Sequence, residues 1–174
     1  MKATRIILFL FLLALLMPLF GQGVRVLHKK ETKTVRSHFG ETATIEQVQI
    51  PDNKESLNEF MYPGDCLYNV IVADEVQAYL FSTQAKGRYD YFDYSIIFSK
   101  ALSVQAVIIT VYRSTHGAAI CQKKWLSQFN GYNGGELKLG LDIDAVSGGT
   151  LSASSIVEDI RRCHLFMSAF LITD

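Results

Sequence analysis

The stretch Asp144-Ala145-Val146-Ser147-Gly148-Gly149-Thr150 holds residues whose types and spacing could do chemistry. Two glycines lie between hydroxyl-bearing residues, a carboxylate stands upstream, and Ser152, Ser154 and Ser155 follow. Behind them Ile156, Ile160, Cys163, Met167 and Phe170 recur at helical spacing, which predicts an amphipathic C-terminal helix. The first amides of a helix have no internal partner, and the helix dipole leaves partial positive charge at that end. Such an end seats a phosphate. Gly148 and Gly149 let the backbone approach a ligand closely. Thr150 and Ser152 put hydroxyls within reach of the same group. A plainer reading makes the stretch a flexible turn, with Ser155 and Glu158 as an S-x-x-E capping box. A third makes Ser147, His116 and Asp144 a hydrolase triad, although the G-x-S-x-G elbow is lacking.

Other chemistries find little support. Cys66, Cys121 and Cys163 include no CxxC pair, and an odd count leaves one thiol over if a disulfide forms. Cys163 reads as a small buried apolar residue. His28, His38, His116 and His164 form no HxxxH or HExxH pattern, so no zinc site is expected. GxGxxG, GxxxxGK[ST] and the haem CxxCH are all absent. The chain has 17 basic and 17 acidic residues, a balance that argues against nucleic-acid binding.

Several elements must position the glycine-rich stretch. Met1 to Arg5 is a short positive start, Ile6 to Phe20 an apolar run, and Gly21-Gln22-Gly23 a small-x-small pattern. This is the layout of a secretory signal peptide, with a retained anchor as the lesser reading. Beyond it, 15 basic residues face 17 acidic ones. A short helix is expected over Glu31 to Phe39, ended by Gly40, and a strand over Thr44 to Ile50, closed by Pro51-Asp52-Asn53. Lys54 to Met61 is a weak helical piece. Leu67 to Ala73 and Val76 to Ser82 flank Asp74-Glu75 as a hairpin. Gln84 to Gly87 reads as a loop, and Arg88 to Phe98 as an aromatic-rich strand. Val104 to Tyr112 is apolar on both sides, which predicts a central strand. Cys121 to Phe129 reads as a short helix with Trp125 and Phe129 one turn apart. The class expected is α+β, a mostly antiparallel sheet with the C-terminal helix packed on it.

Residues 144–150 resemble the flavinylation motif of the FMN-binding domain, which is Asp, two variable residues, Ser or Thr, Gly, Ala and Thr. That family includes the FMN-carrying subunits of membrane electron-transport complexes. Asp144, Ser147, Gly148 and Thr150 match its fixed positions, and Gly149 replaces the usual alanine. The likeness extends over roughly residues 65–170. It takes in the hairpin, the Gly87 loop, the 104–112 strand, Trp125-Leu126-Ser127-Gln128-Phe129-Asn130-Gly131 and the last helix. The loop that in the family reads Glu-Thr-Pro-Gly, near the flavin, is Ser114-Thr115-His116-Gly117 here, keeping Thr115 and Gly117.

The resemblance implies FMN joined through its phosphate to Thr150. A flavin transferase that uses FAD and Mg²⁺ would make the bond and release AMP. Asp144, Ser147, Gly148, Gly149, Ser152, Thr115 and Gly117 would complete the cofactor site. Tyr89, Tyr91, Phe92 and Tyr94 offer aromatic surface for the flavin ring, and His116 could donate to it. The function implied is that of an exported flavoprotein relaying electrons between redox partners at the membrane, an electron carrier rather than a stand-alone enzyme. Its expected organisation is a leader over 1–23, an N-terminal extension over 24–64 and the FMN-binding domain over 65–174. The contrasting reading is a flavin-free envelope module, binding or scaffolding, on the same fold.

Overall fold

The structure is a computed structural model and describes residues 25–50 and 55–172. The expected leader lies outside them, as does the turn at 51–53. In chain order the elements are α1 (Lys29–Phe39), β1 (Thr44–Gln47), α2 (Glu55–Asn58), β2 (Cys66–Val72), β3 (Glu75–Lys86), β4 (Tyr91–Ser99), β5 (Val104–Val111), α3 (Lys123–Leu126) and α4 (Thr150–Ile172). The strands form one antiparallel sheet in the order β1-β2-β3-β4-β5. The fold class is therefore the expected one.

Side chains alternate across the sheet because successive Cβ atoms point to opposite faces. Phe81, Phe92, Ile96 and Phe98 lie in the cluster that packs on Ile156, Ile160, Cys163, Met167 and Phe170 of α4. Their neighbours Leu80 and Ile97 lie with Val70 and Ala78 in the cluster around Val35 of α1. The sheet is thus sandwiched between α1 and α4. Burying each of these large side chains is worth about 1.5–3 kcal/mol.

Among the described residues, the buried carboxylates and the one buried arginine inside this sandwich are matched. Glu31 of α1 is fully buried and accepts from the Ser82 and Ser95 hydroxyls and from the His28 amide. On the other face Arg162 has five guanidinium protons. It donates to the Phe60 carbonyl, to Asp65 at 2.7 Å, to Thr83 at 3.0 Å and to both oxygens of Asp159 at 2.6 and 3.2 Å. Asp159 also accepts from the Tyr94 hydroxyl at 2.5 Å. Burial raises the Asp65 carboxyl above its usual range, although Arg162 and Thr83 pull the other way.

Four local expectations are corrected. Val104–Val111 lies at the sheet edge, not its centre. It is apolar on both sides because α1 packs over one face and the segment around Phe129 over the other. Residues 84–86 continue β3, paired with Asp93 to Tyr91, and are not a loop. The stretch 121–129 is broken into a 3₁₀ turn, the four-residue α3 and a second 3₁₀ turn. Finally, α4 begins at Thr150, so Ser155 is interior and caps nothing. Its hydroxyl instead accepts from the Lys86 amide at 2.9 Å. The three cysteines are free thiols, and burial raises the Cys66, Cys121 and Cys163 pKa values. No helix among the described residues is long and apolar enough to cross a membrane.

Candidate functional site at the start of the last helix

The turn ahead of α4 is a hydrogen-bonded one. The Gly149 amide donates to the Val146 carbonyl at 3.0 Å, and Gly148 between them has φ +71°. A positive φ at the third position of a four-residue turn is a glycine position. Val146 is buried and pins the turn to the core. The Gly149 carbonyl accepts from Ala153 at 2.9 Å, the first bond of the helix. Among the described residues nothing caps the amides of Thr150, Leu151 and Ser152. Thr150 is thus the first helical residue, exposed beside amides that point outward.

Upstream, the backbone of Asp144 is clamped on both sides. Its amide donates to Gln128 Oε1 at 2.9 Å and its carbonyl accepts from Trp125 Nε1 at 2.8 Å. The tryptophan and glutamine of the 125–131 segment therefore hold the start of the motif in place.

The 114–117 loop lies directly on the glycine pair. Gly117 has φ +79°, and a Cβ there would stand 2.8 Å from Tyr112 Oη and 3.0 Å from Gly149 Cα. Tyr112 donates its proton to the His116 carbonyl at 2.6 Å. It is left to accept from Ser152 Oγ at 3.1 Å. Ser152 is only 3% exposed, so its hydroxyl braces the loop against the helix. Thr115 Oγ1 sits 3.0 Å from His116 Nδ1, and Ser114 Oγ accepts from the His116 amide at 3.1 Å.

Between loop and helix opens a cavity of about 160 Å³, lined by Arg88, His116 and Gly148 to Ser152. Its one full charge is the Arg88 guanidinium, which also lies 5.2 Å from the Tyr89 ring. The free helix amides add partial positive charge. Among the described residues no carboxylate lines it, so the donor set suits an anion. A Cβ on Gly149 would already stand 3.1 Å from Val146 Cγ1 and 3.2 Å from Gly117 Cα, which shows how closely the backbone is packed around it.

The fold resembles that of Shewanella oneidensis NqrC. The likeness to that crystal structure covers 78% of this chain and 88% of that one, with a TM-score of 0.51 at 12% sequence identity. No protein-family model matches the chain, and no curated protein matches it.

Of the residues singled out in the sequence, the structure gathers Gly148, Gly149, Thr150, Ser152 and His116 around the cavity, with Gly117 packed behind them. Thr115 reaches the site only through His116. Asp144 and Ser147 are exposed and stand outside the lining. No hydrogen bond joins Ser147, His116 and Asp144 among the described residues, so a hydrolase triad is not assembled. The aromatic group divides: Phe92 and Tyr94 are core, while Tyr89 and Tyr91 are exposed. The sequence expectation makes Arg88 the first residue of an aromatic strand, but the strand begins at Tyr91 and Arg88 lies in the loop between β3 and β4, just after Gly87.

Proposed function

We propose that this chain carries FMN, joined through its phosphate to the Thr150 hydroxyl, and relays electrons between redox partners at the membrane. The observation that carries the reading is the position of Thr150. It is the first residue of α4, exposed on a cavity that holds Arg88, uncapped amides and no acid. The fold likeness to NqrC and the residues 144–150 support the same reading.

Each part of the site then has a task. A phosphodiester at Thr150 keeps one negative charge, which the amides of α4 and Arg88 would neutralise. Gly148 provides the turn that aims Thr150 outward. Gly117 and Gly149 let loop and helix close on each other. The Tyr112–Ser152 pair fixes that spacing. FMN itself would supply the electron chemistry, with the protein setting its orientation and surroundings.

Attachment would proceed by transfer from FAD. The Thr150 oxygen forms a bond to the FMN phosphorus, the pyrophosphate bond breaks, AMP leaves, and the hydroxyl proton passes to solvent. A flavin transferase holding Mg²⁺ would perform this step. A leader over 1–23 would place the carrier outside the cytoplasm, where a covalent tether prevents loss of the flavin.

The test is coexpression with a flavin transferase, followed by denaturation and digestion with trypsin. The peptide 139–161, cut after Lys138 and Arg161, should carry the yellow chromophore. A colourless peptide there, from protein exposed to a competent transferase, contradicts the tether and favours the flavin-free scaffold.

A further inference from the structure

A second cavity lies further along α4, and its size and walls suit a group the first cannot hold. It measures about 530 Å³ and is bounded by Tyr62, Lys86, Tyr91, Glu158 and Arg162, among others. Sites that enclose a whole small ligand usually span about 300–1,000 Å³. The cavity at Thr150, about 160 Å³, admits a phosphate but not a tricyclic ring. We propose that the isoalloxazine ring of the flavin tethered at Thr150 lies in this larger cleft, between Tyr62 and Tyr91. This rests on the tether reading above.

One stripe of α4 joins the two cavities. Leu151 lines the first, and Ser155, Glu158 and Arg162 line the second. These four recur at the spacing that puts side chains on a single helix face. From Leu151 to Glu158 the helix rises about 10 Å at 1.5 Å per residue, a span an extended ribityl chain can cover. The cleft therefore begins where a phosphate-anchored chain would deliver its ring.

The walls have the matching chemistry. Tyr62 and Tyr91 both line the cleft and are each 52% exposed, so each keeps bare ring surface. Tyr62 is held in place by stacking on the Arg162 guanidinium, 4.1 Å from its centroid. Arg162 has committed all five protons to protein acceptors, so the floor of the cleft is rigid and asks nothing of a ligand. Lys86 at the rim is the cation left to face the ring's polar carbonyl edge.

Tyrosine in contact with a flavin quenches its emission by electron transfer from the phenol to the excited ring. The native chain, Tyr62→Leu, Tyr91→Leu and Tyr89→Leu, each coexpressed with the transferase, provide the test. Intact mass reports the tether, and emission per bound FMN reports the ring's seat. Native protein should be dim and brighten several-fold on denaturation. Tyr62→Leu and Tyr91→Leu should each be several-fold brighter when folded, with the flavin mass unchanged, and Tyr89→Leu should stay dim. Among the described residues no hydrogen bond or ring pair involves the Tyr91 side chain, which is half exposed, so that variant stands even if Tyr62→Leu misfolds. Unchanged emission in both, or brightening of Tyr89→Leu alone, overturns the cleft assignment and leaves the tether intact. An unmodified native chain overturns the tether reading, and the cleft assignment with it.

Discussion

Replacing Gly117 with alanine tests whether the 114–117 loop is built to lie on the glycine pair. The residue has φ +79°. An L-residue with a Cβ in that conformation costs roughly 1–2 kcal/mol. The added Cβ would also stand 2.8 Å from Tyr112 Oη and 3.0 Å from Gly149 Cα. Neither neighbour yields easily, since Tyr112 is bonded to both His116 and Ser152, and Gly149 closes the first turn of α4. Overpacking of this kind adds about 1–3 kcal/mol. Conformational strain and clash together come to about 2–5 kcal/mol, and a chain of this size loses roughly 2–4 °C in Tm per kcal/mol. Thermal unfolding followed by circular dichroism should therefore show a drop of about 4–20 °C. Gly149→Ala is the matched control. Its φ is ordinary and its closest new contact is 3.1 Å, so its neighbours need shift by only tenths of an ångström, and the cost should stay below about 1 kcal/mol. Under limiting transferase, Gly117→Ala should also take up FMN more slowly than Gly149→Ala. A Gly117→Ala chain as stable as native would refute the packing argument.

Arg88→Gln removes the one arginine that lines the Thr150 cavity among the described residues. FMN incorporation under limiting transferase should fall several-fold by intact mass, while thermal stability holds, because Arg88 is exposed. Asp65→Ala strips one carboxylate from Arg162 in a pair whose side chains are 1% and 10% exposed. Breaking a buried pair costs about 3–5 kcal/mol, and urea unfolding should show that loss at an unchanged m-value. Burial holds the His164 pKa below its usual 6.5. The unfolded chain therefore binds more protons there, and stability present above pH 6.5 should decline as pH falls through the depressed value. Unfolding midpoints measured across that range should slope for the native chain and flatten for His164→Gln.

The parts of this fold legible in the sequence are those set by local periodicity. Ile156 to Phe170 marks the buried face of α4 because one helix face meets one sheet face. The β2–β3 hairpin follows from two β-branched runs around a polar break, although its tight turn centres on Ala73 and Asp74, both at positive φ. The edge position of β5 was illegible, since covering helices make an edge strand as apolar as a central one. The helix start at Thr150 was obscured because Ser152 and Ala153 lack the apolar bulk that marks a buried turn, yet both are buried. Arg88 and the Tyr62–Tyr91 cleft could not be read at all. They arise where the β3–β4 hairpin and the segment before β2 meet α4, contacts between residues distant along the chain.

The central claim is a covalent bond at one hydroxyl, and intact mass spectrometry reads it directly. Native chain and Thr150→Ala, each produced beside a flavin transferase, should differ by one group. The native chain should gain the mass of FMN less one water, and the variant should gain nothing. A native chain that stays unmodified, or a Thr150→Ala chain that still gains the flavin, would contradict the account.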